Sequence, residues 1–227
     1  MSFSPAQILK PNTRLRKVVK ATVHAANRPV GMVRFRLAAK RAPRPIALEV
    51  GGLKPRDGWF MVNVNATAPR YMDGTKPWIF EDASLSHVYA DNMIEHVPLA
   101  GARIFFREAH RCLRPGGIIR LVTPDLREHV QLYLEGEPVV HGPEADEYRA
   151  AGVVVEHAVD LIRTPIGEFG HHLGYVYDFE TLDAELQQAG FSPARRCELH
   201  ESEDPMLRGL EERSEQGRIQ MVVEAVR

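Results

Sequence analysis

The chain has 227 residues, 44% of them hydrophobic and 26% charged, which is room for one domain with an extension and a full core. No apolar run reaches the ~18 residues of a membrane span, and the N-terminus lacks the basic, apolar and small-residue blocks of a signal peptide. A net charge of −1 hides an asymmetry: residues 1–46 hold eleven Lys and Arg and no acid, while the rest holds eighteen basic and thirty acidic residues. Collagenous, disulfide-scaffold, membrane-spanning and wholly disordered classes are excluded.

The basic N-terminal extension, residues 1–45, carries Leu15, Val18, Val19 and Val23 at helical spacing, flanked by Arg14, Arg16, Lys17 and Lys20. Pro43 and Pro45 end that helix. Three roles stay open for it: packing on the acidic body, contact with an anionic membrane surface or lipid-linked substrate, and nucleic-acid binding. Phe3 and Phe35 are its aromatic residues, too few for a base-stacking platform, so nucleic acid is disfavoured.

The body, residues 46–227, alternates strands and helices. Ile46 to Val50 is a buried strand ending in Gly51-Gly52. Phe60 to Val64 and Leu85 to Ala90 are the next two strands. Ala102, Phe105, Phe106, Ala109, Cys112 and Leu113 recur at three- and four-residue spacing and predict an amphipathic helix, stopped by Pro115-Gly116-Gly117. Ile118 to Val122 is a strand, and Asp125 caps a helix over Leu126 to Leu134. Residues at about 135–172 are polar and Pro/Gly-marked, with a helical stretch around Tyr148 to Ile162, and read as an inserted cap. Phe179 to Gln188 is a helix with Gly190 as its stop, and Arg195 to His200 and Ile219 to Val226 are late strands. This alternation predicts an α/β fold: a Rossmann-like, doubly wound and mostly parallel sheet with an antiparallel C-terminal strand. The two cysteines, Cys112 and Cys197, have no CxxC spacing and read as reduced thiols of a cytoplasmic protein.

Open α/β sheets bind ligands beyond the carboxyl ends of their strands. Polar residues and glycines at those ends are therefore the candidates: Glu49, Gly51, Gly52, Asn65, Asp73-Gly74, Asp82 and Asp91-Asn92. A nicotinamide site fits poorly, because GxGxxG is missing and the second strand ends near Asn65 rather than an acid.

Several segments in order carry a resemblance. They are Leu48-Glu49-Val50-Gly51-Gly52 with Gly58-Trp59 and Asn63-Val64-Asn65, then Phe80 to Ser84, then Val88-Tyr89-Ala90-Asp91-Asn92-Met93-Ile94-Glu95-His96-Val97. Glu108 to Gly117, Val122-Thr123-Pro124-Asp125-Leu126, Tyr177-Asp178, Leu182 and Ala189-Gly190-Phe191 follow. Together they resemble a class I S-adenosylmethionine-dependent methyltransferase, similar to small bacterial ones linked to polysaccharide or secondary-metabolite pathways. The resemblance covers residues 46–227. It implies S-adenosyl-L-methionine as cofactor, with Gly51 and Gly52 along its methionine and ribose, Glu49 under the ammonium and Asp73 with Gly74 facing adenine. Asp82 would lie on the same side and Asp91 where cofactor and acceptor meet. Two departures stand out: the glycine loop is reduced to Gly51-Gly52, and Asn65 replaces the acid that grips both ribose hydroxyls.

Methyl transfer to a hydroxyl needs a proton acceptor, and histidine suits that task. His96, His171 and His172 are the candidates. His171 and His172 are adjacent and no HExxH or CxxC exists, so no metal is expected. The reading is O-methylation of a small-molecule or sugar-containing acceptor, by a cytoplasmic enzyme that is peripheral to the membrane if the basic segment binds lipid. The alternative is a non-catalytic interaction protein of the same fold.

Overall fold

A computed structural model describes residues 14–65, 67–211 and 218–227, with side chains of the opening helix described from residue 21 on. Phe3, Leu15, Val18, Val19 and the flanking basic side chains through Lys20 therefore lie outside the described part. The helix itself is α1, Arg14–Arg41, and it ends just before Pro43 as its sequence predicts.

Six strands form one sheet: β1 (Ile46–Val50), β2 (Trp59–Val62), β3 (Leu85–Asp91), β4 (Leu113–Pro124), β5 (Arg195–Cys197) and β6 (Gln220–Val226), in the order β2-β1-β3-β4-β6-β5. The pairs β1–β2, β1–β3 and β3–β4 are parallel, and β6 runs antiparallel to both β4 and β5. This is the Rossmann-like sheet that the alternation predicts. Every residue of β1 and β3 is buried, which is what a parallel strand covered on both faces demands.

One face carries the main core. Helix α2 (Leu99–Cys112) buries Ala102, Phe105, Phe106, Ala109 and Cys112 there, and α6 (Phe179–Gln188) adds Leu182 and Leu186. Helix α1 also joins this core: Phe35 packs 5.6 Å from Phe80 and 6.2 Å from Phe60, and Ala39 lies beside it. The opposite face is closed by Leu207 and Leu210 against Tyr89, Val122 and Val222. There Arg120, fully buried, donates to Glu211 at 2.7 Å and to Glu224 at 2.5 Å.

Between β4 and α6 lie α3 (Leu126–Glu135), α4 (Pro143–Ala150) and α5 (Ala158–Gly167). They close a second small core of Leu132, Val140, Ala145, Tyr148, Val155, Ala158, Leu161 and Ile219.

Three expectations need correction. The single helical stretch Tyr148 to Ile162 is two helices, because Gly152 takes a left-handed φ of 87° and the β-branched run Val153 to Val155 follows it. Pro115-Gly116-Gly117 does not follow the helix as a loop; α2 ends at Cys112 and Leu113 already pairs with Leu85, so these residues lie inside β4. The late strand expected over Arg195 to His200 stops at Cys197.

Candidate functional site

From β1 the chain continues to β2 on one side and from β3 to β4 on the other, so the segments that leave the carboxyl ends of these paired neighbours run apart. A crevice opens there. Gly51 follows β1 with φ of 88°, and a Cβ on it would sit 2.9 Å from Met93 Cγ. Only glycine serves here, on both conformational and steric grounds. Asn63, just past β2, donates to the Gly52 carbonyl at 2.9 Å and holds the loop across the strand ends.

A cavity of about 400 Å³ fills this crevice. Gly51, Asn63, Asn65, Asp73 and Gly74 give it a polar rim, and Val50, Met72, Met93, Val97 and Phe105 give it apolar walls. The Asp73 carboxylate accepts from Thr75 N at 3.0 Å and Thr75 Oγ1 at 2.7 Å, which fixes the turn that presents it.

A second cavity of about 800 Å³ lies next to it, under α4 and the loop after α5. Glu95, His171, Asp146, Glu147, Tyr148 and Phe169 line it, with the Tyr148 and Phe169 rings stacked 6.5 Å apart. Asn92 and His96 line both cavities. Asn92 is the first residue past β3, and its left-handed φ of 44° turns the chain at the junction.

Three side chains meet at that junction. Glu95 is fully buried and accepts from Thr123 Oγ1 at 3.2 Å. The Nε2 atoms of His96 and His171 each stand 3.9 Å from Glu95 Oε1, and the two rings pack edge to face at 4.6 Å. Backbone bonding brings His171 there: Tyr175 N donates to the Glu95 carbonyl at 3.1 Å and pins the loop. His171 Nδ1 bonds the Pro165 carbonyl at 2.8 Å. A carbonyl only accepts, so Nδ1 carries the hydrogen and Nε2 presents a lone pair. Burial lowers the pKa of His171 from the ordinary histidine value, partly opposed by the Pro165 bond.

Gly51, Asn65, Asp73 and Gly74 thus line the smaller cavity, His171 the larger and His96 both. Five other candidates line neither. Glu49 is buried with Oε2 3.7 Å from Arg56 Nε, and Gly52 lies behind the rim. Asp91 is buried and accepts from the Asn92 amide at 2.9 Å. Asp82 is exposed and pairs with Arg111 of α2, 2.6 Å away. His172 is exposed, because adjacent residues of a tight turn point apart and only His171 turns inward.

The sequence marked Asp91-Asn92 as a pair and assigned the cofactor contact to Asp91, and it did not foresee Glu95 between two histidines. The signal for Asn92 was its place one residue beyond the buried strand. Tyr148, Phe169, Asp146 and Glu147 gave no signal, since only the packing of α4 and of the loop after α5 turns them inward.

Residues 62–121, which include β3, the junction and α2, match the family profile described as "Methyltransferase domain". No curated protein matches the chain. Solved structures with a similar backbone course include a SAM-dependent methyltransferase from Thermotoga maritima, 13% identical over 93% of this chain and 95% of that one, TM-score 0.44. An O-methyltransferase family protein from Burkholderia thailandensis is 13% identical over 96% of this chain and 60% of its own, TM-score 0.44. Human N-acetylserotonin methyltransferase is 12% identical over 94% of this chain and 55% of its own, TM-score 0.43.

Proposed function

We propose that this chain is an S-adenosylmethionine-dependent methyltransferase that methylates a hydroxyl of a small-molecule, sugar-containing acceptor. The observation that carries the reading is the pair of adjoining cavities with Asn92 and His96 in the wall of both. The match of residues 62–121 to a methyltransferase family profile supports it independently.

The smaller cavity suits the cofactor. Its apolar walls, Met72, Val97 and Phe105 among them, fit an adenine ring, while Asn65 and Asp73 offer acceptors for ribose hydroxyls or adenine. Bound there, the cofactor would supply an electrophilic methyl group. Asn65 accepts fewer hydroxyl bonds than a carboxylate, and Asp73 is the acid on this rim.

The larger cavity suits a polyhydroxyl acceptor, with Asp146 and Glu147 as hydrogen-bond acceptors and Tyr148 and Phe169 as flat apolar surfaces. An acceptor hydroxyl at the junction faces the His171 Nε2 lone pair, which takes its proton. The Glu95 carboxylate, 3.9 Å away, then stabilises the imidazolium.

Glu95, His96 and His171 bring ligand atoms within 4.8 Å of one another. Zinc ligands ~2.1 Å from a tetrahedral ion stand about 3.4 Å apart. The 3.9 Å separations from Glu95 are wider, and we read the cluster as proton-sharing rather than metal-holding. Chelator treatment should leave the rate unchanged; a loss restored by added zinc would reverse this assignment.

Calorimetric titration with S-adenosylmethionine and S-adenosylhomocysteine tests the function. Native protein should bind both, and Gly51→Ala should weaken binding by about tenfold or more, because its Cβ meets Met93 and φ is left-handed. A folded native chain that binds neither would return the non-catalytic reading.

A further inference from the structure

We propose that the outward face of α1 docks on an anionic lipid surface. The observation is a helix with two apolar faces. Gly31, Phe35 and Ala39 form the inner one and are buried against the body. Val23, Val30, Val33 and Leu37 form the outer one, and they are 41%, 47%, 57% and 50% exposed. At 100° per residue these four fall within a sector of about 80° that is centred opposite Phe35.

Basic residues border that stripe on both sides. Arg34 and Arg41 lie along one edge, Arg36 and Lys40 along the other, and all four are exposed. Long basic side chains at the edge of an apolar stripe reach headgroup phosphates while the stripe enters the acyl boundary. The apolar surface continues onto the body: Ile79, 44% exposed, shares a shallow groove with Val33 and Leu37, flanked by Arg36, Lys40 and Arg44. Glu81 is the acidic residue lining that groove.

Charge complementarity selects the occupant. Residues 1–46 hold eleven basic residues and no acid, whereas the remaining residues carry a balance of −12. An anionic bilayer attracts the first and repels the second, which orients the molecule with α1 against the lipid. Among the described residues no helix is long and apolar enough to cross a membrane, so α1 lies along the surface.

The helix is also tied to the cleft. Asn27 donates to the Ala68 carbonyl at 3.0 Å, and Tyr71 N donates to the Gly31 carbonyl at 3.2 Å. These bonds hold the segment that leads into Met72 and Asp73 of the smaller cavity. A docked α1 therefore keeps that cavity close to the lipid interface, where an acceptor with a lipid tail would be presented.

The test is co-sedimentation of the full chain with phosphatidylcholine vesicles with and without phosphatidylglycerol, which requires no methyltransferase activity. Binding should need phosphatidylglycerol and weaken as salt rises. The pairs Val33→Asp/Leu37→Asp and Arg36→Glu/Lys40→Glu should each weaken it by about tenfold or more, with circular dichroism unchanged. Failure of the folded native chain to sediment with anionic vesicles would overturn the proposal, as would equal binding to neutral ones. A lipid-free dimer seen by light scattering and broken by Val33→Asp/Leu37→Asp would reassign the face to a second copy of the chain.

Discussion

His171 and His129 are both buried histidines, and their partners give them different work. His171 has a lone pair facing Glu95, and burial keeps its pKa below the ordinary value, so it is neutral and ready to accept a proton at pH 7. The rate of methyl transfer should then hold near neutrality and fall only at pH values below the ordinary histidine range. His171→Gln should lower kcat by about a hundredfold or more and flatten that acid limb, while binding of S-adenosylhomocysteine is retained. A variant with an unchanged pH profile would remove His171 from the proton path. His129, by contrast, is enclosed: Nδ1 bonds the Asp125 carbonyl at 2.6 Å and Nε2 bonds the Tyr148 hydroxyl at 2.5 Å. Burial pushes its pKa down to about 4. A folded value below the unfolded one means that stability is full above pH 6.5 and is lost as the pH falls toward 4. The loss should approach about 3 kcal/mol by pH 4, and denaturant titrations of native protein and His129→Gln across that range will show it as a slope the variant lacks.

Helices α3, α4 and α5 are short, and none could stand alone. Their stability comes from the small core in which Leu161 and Leu132 are fully buried. Leu161→Ala should cost about 2–5 kcal/mol within this unit. Because the smaller cavity is built on β1, β2, β3 and the turn at Asp73, S-adenosylhomocysteine should still bind this variant while acceptor turnover falls. Paired loss of both would mean that α3, α4 and α5 fold as one unit with the sheet. The same region shows the limit of periodicity. Tyr148 to Ile162 carries apolar residues at helical spacing, but Gly152 and the following valines divide it. That division separates α4, whose Asp146, Glu147 and Tyr148 line the larger cavity, from α5.

Across the whole molecule, charge is arranged by depth as well as along the chain. Arg120 is fully buried between Glu211 and Glu224 on the face opposite α2, while Arg28, Arg34, Arg36, Lys40 and Arg41 of α1 are exposed. Removing the guanidinium with Arg120→Met would leave the buried Glu211 without it and Glu224 with Arg195 alone, 2.7 Å away, and it should destabilise the fold by about 3–5 kcal/mol in denaturant melts. Neither acid was marked by its sequence. Glu224 sits among the apolar residues Met221 to Val226 of β6, and Glu211 lies far along the chain from Arg120.

The order and type of most elements are written locally in the chain. Apolar runs such as Ile46 to Val50 and periodic ones such as Ala102 to Cys112 state locally whether they suit a strand or a helix. Gly51 follows β1 directly, and a strand end is a local feature whose topological place follows from the alternation; Asn65, Asp73 and Gly74, which line the same cavity, lie beyond the end of β2. Tertiary structure alone decided which polar residues share a space. Glu95 and His171 are brought together by one backbone bond from Tyr175, Asp82 pairs with Arg111, and Tyr148 lines the larger cavity only through the packing of α4. Such pairings depend on packing between segments distant in the chain, and no local pattern encodes them.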